Sequence, residues 1–123
     1  MKLIIAGSRG FTDHVLMKIK LHTFLNQQGF IVPDEVISGG ARGADTYGAH
    51  WALARDIKVT YFHPNWTKYG NSAGYRRNEL MADAATHLIA FHDGESRGTQ
   101  HIVDIARRKK LTVEVINYKG ELP

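Results

Sequence analysis

The chain has 123 residues, of which 43% are apolar and 23% are charged, as in a soluble globular protein of one domain. A chain of this length buries roughly two-thirds of its unfolded surface, so it can form a core without disulfides or structural metals. The absence of cysteine excludes a disulfide scaffold, a thiolate zinc site and a cysteine nucleophile. The net charge of +4 favours an anionic partner, although such a charge also serves solubility.

No segment has the pattern of a membrane span or a secretory signal. The longest apolar runs, such as Leu3 to Ala6, have four residues, whereas a helix needs about 20 to cross a bilayer. The first residues carry a charge but no long apolar region of the kind that a signal peptide requires. We therefore expect a cytoplasmic protein that has no membrane partner.

Apolar runs and helical patterns alternate along the whole chain, without repeats or low-complexity linkers. The predicted strands are short and apolar without clean alternation, which is typical of strands buried on both faces; they span residues 2–6, 35–38, 58–62, 87–91 and 112–116. The predicted helices lie between them at about residues 13–28, 44–56, 72–85 and 99–110. Gly29 and the region of Gly120 are predicted to form turns.

The second predicted helix has the clearest amphipathic pattern. Its apolar and small residues follow the helical spacing of one buried face, at Ala44, Tyr47, Gly48, Trp51 and Ala52. Strands that alternate with such helices imply a parallel sheet covered on both faces. We therefore predict one α/β domain over residues 1–123, a Rossmann-like three-layer fold with a mostly parallel sheet of about five strands.

The predicted strand ends carry glycine, hydroxyl groups and arginine together, in segments 7–10, 38–45 and 93–99. Open α/β sheets bind ligands beyond the carboxyl ends of their strands. Glycine lets backbone N–H groups approach an anion, and arginine grips phosphate oxygens. One such loop is equally well explained as a tight turn, but three at one edge favour a phosphate or nucleotide site. The candidate ligand-binding residues are Gly7, Ser8, Arg9, Ser38, Gly39, Gly40, Arg42, Gly43, Asp45, Ser96, Gly98 and Thr99.

Asp45 has two equally supported interpretations, as a ligand for a ribose hydroxyl and as a cap of the helix that begins near it. The glycine spacing around it is not GxGxxG, and no lysine completes a P-loop. The sequence therefore favours neither a dinucleotide-dependent dehydrogenase nor an ATPase, and no cofactor is predicted. The seven histidines form no HxH or HExxH pattern, so no metal centre is predicted either.

The connection from His63 to Gly74 is long for a strand-to-helix loop, which is typical of functional segments. Its aromatic residues Trp66 and Tyr69 are suited to stacking on a base; equally, they could cover the edge of the core. Two arginines follow in the first turn of the next helix, where the helix dipole disfavours positive charge. We predict that Arg76 is solvated and that Arg77 belongs to the site.

Together these motifs resemble those of the SLOG superfamily, the Rossmann-like domains shared by the Lonely Guy phosphoribohydrolases and the DNA-processing protein A family. The chain looks most similar to the small single-domain members related to YspA in bacteria and phages. The resemblance covers nearly the whole chain. It is carried by the segments Gly7-Ser8-Arg9, Ser38-Gly39-Gly40-Ala41-Arg42-Gly43-Ala44-Asp45, Ala73-Gly74-Tyr75-Arg76-Arg77-Asn78 with Met81, and Ser96-Arg97-Gly98-Thr99.

The Lonely Guy enzymes open a helix with an arginine followed four residues later by methionine, and a strand then leads to a glycine-threonine loop. Arg77, Met81, residues 87–91, Gly98 and Thr99 match that layout. The resemblance implies cleavage of the N-glycosidic bond of a nucleoside 5′-monophosphate.

In those enzymes the arginine works with a glutamate, whose position here is taken by Ile102. Arg77 and Glu95 are therefore the candidate catalytic pair, since Glu95 is the better of the nearby carboxylates, ahead of Asp93 and Asp104. Because Ile102 is neither an acid nor a base, ligand binding is favoured over catalysis.

The DNA-processing relatives share a phosphate-binding turn and the helix after it, which residues Ser38 to Asp45, Ala49-His50 and Ala52-Leu53 match. That resemblance implies an alternative function, binding of single-stranded nucleic acid, to which Lys68, Arg76 and the basic run from Arg107 to Lys110 would contribute. We regard nucleic acid as a less favoured partner than a small nucleotide-type molecule.

The leading hypothesis is a domain that binds a nucleotide or a nucleotide-derived ligand, as a sensor or as an N-glycosidic hydrolase. A third alternative is a domain that works only by association. The SLOG resemblance also implies a homo-oligomer, in which Trp51, Leu80 and Met81 are candidate interface residues, although each could equally belong to the core.

Overall fold

The computed structural model describes residues 1–119 of the chain, in which strands and helices alternate. The strands are β1 (Lys2–Gly7), β2 (Glu35–Ser38), β3 (Lys58–Tyr61), β4 (His87–His92) and β5 (Thr112–Asn117). The helices are α1 (His14–Gln27), α2 (Ala44–Leu53), the single turn α3 (Trp66–Tyr69), α4 (Ala73–Ala84) and α5 (Arg97–Arg108). A 3₁₀ turn, Gly70–Ser72, joins α3 to α4.

All five strands pair in parallel in one sheet, in the order β3-β2-β1-β4-β5. The predicted Rossmann-like α/β fold is therefore confirmed, and the sheet is parallel throughout its described strands. From β1 the chain builds the sheet outward in one direction through β2 and β3, and then in the other through β4 and β5. The sheet therefore has its topological switch point between β1 and β4, where folds of this class form a crevice.

Two hydrophobic cores cover the two faces of the sheet. Successive residues of β1 point to opposite faces, so Leu3 and Ile5 pack with α1 and α2, and Ile4 and Ala6 pack with α4 and α5. This arrangement explains why β1 is apolar at consecutive positions. It also gives the three layers that the sequence predicts.

Two of the three candidate interface residues belong to these cores. Trp51 is 9% exposed and packs in the core under α1 and α2, while Met81 is 2% exposed in the opposite core. Leu80, by contrast, is 58% exposed on α4. Of these three residues, only Leu80 exposes a large apolar side chain on the surface of the chain.

Helix α2 ends at Leu53, three residues before the predicted boundary at residue 56. The N–H of Ile57 bonds to the carbonyl of Ala52, and Asp56 takes a left-handed conformation with φ 57°. This pattern closes a helix through its last carbonyls, and here an aspartate occupies the place where glycine is the usual signal.

Of the two predicted turns, Gly29 also has a positive φ, 89°, whereas Gly120 lies outside the described residues.

The predicted long loop before α4 is partly helical, because α3 and the 3₁₀ turn occupy its centre. Asn65 caps α3 by accepting a hydrogen bond from the N–H of Lys68 at 3.0 Å.

Within residues 1–119, no helix is both long enough and apolar enough to span a membrane.

Candidate ligand-binding site

A cavity of about 390 Å³ lies at the carboxyl ends of β1 and β4, and we call it the first cavity. Gly7 and Arg9 reach it from the end of β1, and Arg77 reaches it from the first turn of α4. Ser96, Gly98 and Thr99 line it from the N-terminus of α5. The cavity thus occupies the switch point, where doubly wound sheets bind their ligands.

A second cavity of about 450 Å³ lies beside the first, beyond the ends of β2 and β3. The two cavities share Arg9, Ala41 and Arg77, so these residues form the boundary between them. Arg42 and His63 line only the second of the two. No carboxylate is among the described residues that line the second cavity.

Arg77 is held in place by three hydrogen bonds, of which the longest runs from its Nη1 to the carbonyl of Phe62 at 3.5 Å. Its Nη1 donates to the carbonyl of Gly39 at 2.6 Å, and its Nε donates to Oδ1 of Asn78 at 3.0 Å. Burial lowers the pKa of Arg77 from its ordinary value, while nearby Asp45 opposes that change. A guanidinium remains charged under such conditions, so Arg77 holds a fixed positive charge at the boundary of the two cavities.

Asp45 is 5% exposed and lines the first cavity from the start of α2. Burial raises its pKa to about 6, against the opposing effects of the hydrogen bond from the Ala41 N–H and of the nearby positive charge on Arg77. Its Oδ2 accepts the Ala41 N–H at 3.2 Å. The cap position of α2 is taken by Gly43, without a side-chain hydrogen bond. Asp45 therefore ties the preceding loop to the helix and borders the cavity, but it is not the cap of α2 that one sequence interpretation gives, and its binding of a ribose hydroxyl stays a prediction.

The glycine loop after β2 uses two of its backbone amides internally. The Gly40 N–H donates to Oγ of Ser38 at 3.1 Å, and the next amide, that of Ala41, donates to Asp45. A Cβ on Gly43 would lie 2.4 Å from the carbonyl oxygen of Ser8, which shows how closely this loop packs against the β1–α1 loop. These two amides are therefore not available to an anion, and the loop also presents the side chain of Arg42 to the second cavity.

Ser8 and Asp93 join the ends of β1 and β4 beneath the first cavity. Oγ of Ser8, which is 1% exposed, accepts the Asp93 N–H at 3.0 Å. Oδ1 of Asp93 accepts the N–H groups of Glu95 and Ser96, each at 2.8 Å. These backbone hydrogen bonds hold the pKa of Asp93 below its ordinary value. Asp93 is thus an ionised loop-forming residue at the edge of the site.

The N-terminus of α5 faces the first cavity. Ser96 caps the helix, with its Oγ accepting the Thr99 N–H at 3.2 Å. The N–H groups of Arg97 and Gly98 have no hydrogen-bond partner among the described residues, and a Cβ on Gly98 would meet open space. Unpaired N–H groups in a first helical turn favour an anion.

Of the remaining candidates Trp66, Tyr69 and Glu95, only Trp66 lines one of these two cavities. Trp66 is 54% exposed and lines the second cavity, whereas the ring of Tyr69 is contacted by the cations of Lys68 and Arg76 and lines neither cavity. Glu95 is exposed and also lines neither cavity.

Ile102 stands where the Lonely Guy pattern has glutamate; it is 2% exposed and lines the first cavity together with Met81.

In the basic run at the end of α5, Lys109 contacts Asp83 at 2.6 Å. Within residues 1–119, no three potential metal-ligating side chains are grouped as a metal site requires.

Asn78 has a structural role that the sequence did not predict. Its side chain is buried and accepts from Arg77, while its Nδ2 donates to the carbonyl of Gly98 at 3.3 Å and lies 3.1 Å from Nδ1 of His101. It therefore connects the two helices that border the first cavity. A polar residue on the buried face of α4 is the signal that points to it.

Comparison with known proteins agrees with this architecture. Residues 1–69 match the YspA, cpYpsA-related SLOG family. The chain is 30% identical over 128 residues to the Gene 61 protein of Mycobacterium phage D29, an alignment that covers 99% of this chain and 98% of that protein. No solved structure matches the chain. With the sheet order and the family match in agreement, the chain belongs to the YspA, cpYpsA-related SLOG family.

Proposed function

We propose that this protein binds a nucleotide or a nucleotide-derived small molecule at the carboxyl edge of its sheet. Membership of a SLOG family supports nucleotide-related binding or processing. The observation that carries the proposal is the fixed guanidinium of Arg77 at the boundary of two cavities, beside Arg9. Two arginines at a switch-point crevice are suited to binding phosphoryl oxygens.

The charge pattern supports a compact anion more than a long polyanion. The positive groups nearest the crevice, Arg9, Arg42 and Arg77, lie on its walls. Elsewhere Lys109 pairs with Asp83, and Arg76 stacks on Tyr69, so these two cations are engaged with their own neighbours. A small ligand in the crevice therefore uses the arginines that the fold brings together.

The test is isothermal titration with nucleoside monophosphates, diphosphates and short single-stranded DNA, on the wild type and on two variants. Arg77→Gln removes the charge inside the crevice, and Arg76→Gln removes the adjacent exposed charge as a matched control. We expect Arg77→Gln to weaken nucleotide binding by about tenfold or more, which corresponds to about 1.4 kcal/mol. Arg76→Gln should leave the Kd within about twofold.

Nucleic-acid binding predicts a different result. Neutralisation of many phosphates makes the affinity fall steeply with salt, whereas one enclosed nucleotide responds much less. Binding of DNA alone, with a steep salt dependence and equal losses in both variants, would overturn the proposal in favour of a nucleic-acid module.

A further inference from the structure

We propose that the ligand is two-ended, with phosphoryl groups at its centre and one end in each cavity. Its chemical class is then a dinucleotide or a nucleoside diphosphate sugar. This inference rests on the proposed function, since it specifies the kind of nucleotide-derived ligand that the same site takes. It goes beyond that function because a mononucleotide requires only one of the cavities.

The positive charge lies at the boundary between the two cavities. Arg9 and Arg77 line both cavities, so they stand where a ligand that enters both must cross the boundary. Nε and Nη1 of Arg77 are held by Asn78 and Gly39, and its Nη2 has no partner among the described residues. A fixed guanidinium with a remaining donor at this crossing favours phosphoryl oxygens at the middle of the ligand.

The two cavities differ in their lining. The first has an apolar wall at Met81 and Ile102 and a hydrogen-bond acceptor for hydroxyl groups at Asp45. The second has the half-exposed indole of Trp66 and the ring of His63. Each cavity thus offers surfaces for a ring and polar groups, and neither is purely a phosphate pocket.

The volumes of the two cavities also fit a two-ended ligand. Pockets for small organic ligands and cofactors span about 300–1,000 Å³, and the two cavities have about 390 and 450 Å³. Each alone is near the lower end of that range, as suits a ligand of mononucleotide size. A two-ended ligand uses the space on both sides of the arginine boundary.

The experiment compares AMP with ADP-ribose by isothermal titration, using one variant in each cavity. Trp66→Ala alters the second cavity only. Gly98→Leu adds a bulky side chain at the wall of the first cavity, at a position where a Cβ meets nothing within 4 Å. Phe30→Ala is the control, since this aromatic residue is 78% exposed and lines neither cavity. The thermal unfolding midpoint of each variant shows that it is folded.

We expect ADP-ribose to bind at least about tenfold more tightly than AMP, and to lose affinity in both Trp66→Ala and Gly98→Leu. AMP should lose affinity in at most one of the two variants, because it occupies one cavity. Phe30→Ala should change neither Kd. ADP-ribose binding that is no tighter than that of AMP, or that responds to one cavity alone, would overturn the two-ended ligand.

That failure is distinguishable from failure of the proposed function. If AMP binds and Arg77→Gln abolishes its binding, nucleotide binding stands whatever ADP-ribose does. If neither probe binds to the folded wild type, both proposals fail together.

Discussion

Nη1 of Arg77 donates a hydrogen bond of 2.6 Å to the main-chain carbonyl of Gly39, so the first turn of α4 is tied to the turn that follows β2. A Cβ on Gly39 would lie 2.5 Å from that Nη1 and 2.8 Å from Oδ2 of Asp45. The absence of a side chain at Gly39 therefore lets the guanidinium of Arg77 come this close and reach the boundary of the two cavities.

The first prediction concerns this approach. Gly39→Ala should displace the guanidinium of Arg77, because a contact under 3.0 Å requires one of the groups to move and the end of a long side chain moves most easily. We expect nucleotide affinity to fall by about tenfold, which is about 1.4 kcal/mol, with a much smaller effect on folding. Isothermal titration and thermal unfolding measure the two effects separately.

Gly74→Ala is the matched control for that substitution. Its Cβ would meet the ring of Trp66 at an ordinary 3.7 Å, so its affinity should remain that of the wild type. Equal losses of affinity in the two variants would contradict a specific role for the Gly39 contact.

The second prediction is a pH dependence of stability caused by Asp45. Its pKa is raised from 3.8 to about 6, mainly by burial. Between these pH values the folded protein holds more protons than the unfolded chain, so the free energy of unfolding falls as the pH rises from about 4 to about 6. Relative to Asp45→Asn, the wild type should lose on the order of 3 kcal/mol over this range.

Urea unfolding of both proteins across that range measures the effect. The difference between wild type and Asp45→Asn is the relevant quantity, because the other titrating groups are common to both. A difference that stays constant from pH 4 to pH 7 would show that Asp45 titrates as an ordinary exposed carboxyl.

The third prediction concerns N-glycosidic hydrolysis. We expect no release of adenine from AMP above the level given by the Asp45→Asn variant. Ile102 replaces the glutamate of the Lonely Guy pattern at the cavity wall, and Glu95 is exposed outside it. The acceptor oxygen of Asp93 is already bonded to two backbone amides. Free base can be quantified by chromatography after long incubation.

Adenine release that disappears in Asp45→Asn and persists in Glu95→Gln would contradict this expectation. It would also identify the reacting group, because a buried carboxyl with a pKa of about 6 is suited to proton transfer near neutral pH. The comparison of the two variants thus assigns any activity to one carboxyl.

The fourth prediction concerns Asn78 as a positioning residue. Asn78→Ala removes the acceptor for Nε of Arg77 and the donor to the Gly98 carbonyl. Leaving buried polar groups unpaired costs about 1–3 kcal/mol, so the free energy of unfolding should fall by about that amount. Nucleotide affinity should fall as well, because Nε of Arg77 loses its acceptor.

Asn71→Ala serves as the control for this substitution, since Asn71 is exposed in the 3₁₀ turn before α4. It should change neither stability nor affinity appreciably. Loss of stability in Asn78→Ala with unchanged nucleotide affinity would show that Asn78 supports only the packing of α4 and α5.

Much of the fold follows from local pattern. Consecutive apolar residues in β1 predict a strand buried on both faces, and the apolar spacing in α2 predicts its buried side. The strand ends carry glycine and arginine, which predicts a site at the carboxyl edge of the sheet. The choice of Arg77 over Arg76 also agrees with where the fold places each side chain, although ligand binding by Arg77 stays a prediction.

Tertiary contacts decided the rest, because the groups involved are far apart in the chain. Arg77 meets Gly39 across 38 positions, and Ser8 meets Asp93 across 85. Sequence periodicity reports only which face of an element is apolar, and it carries no information on which loop amides are already hydrogen-bonded. The internal pairing of the Gly40 amide and the position of Glu95 outside the cavities depend on how the loops pack. The sequence by itself therefore determined the layers of the fold and the edge that bears the candidate site, while only the folded chain decided that two cavities meet there at a pair of arginines.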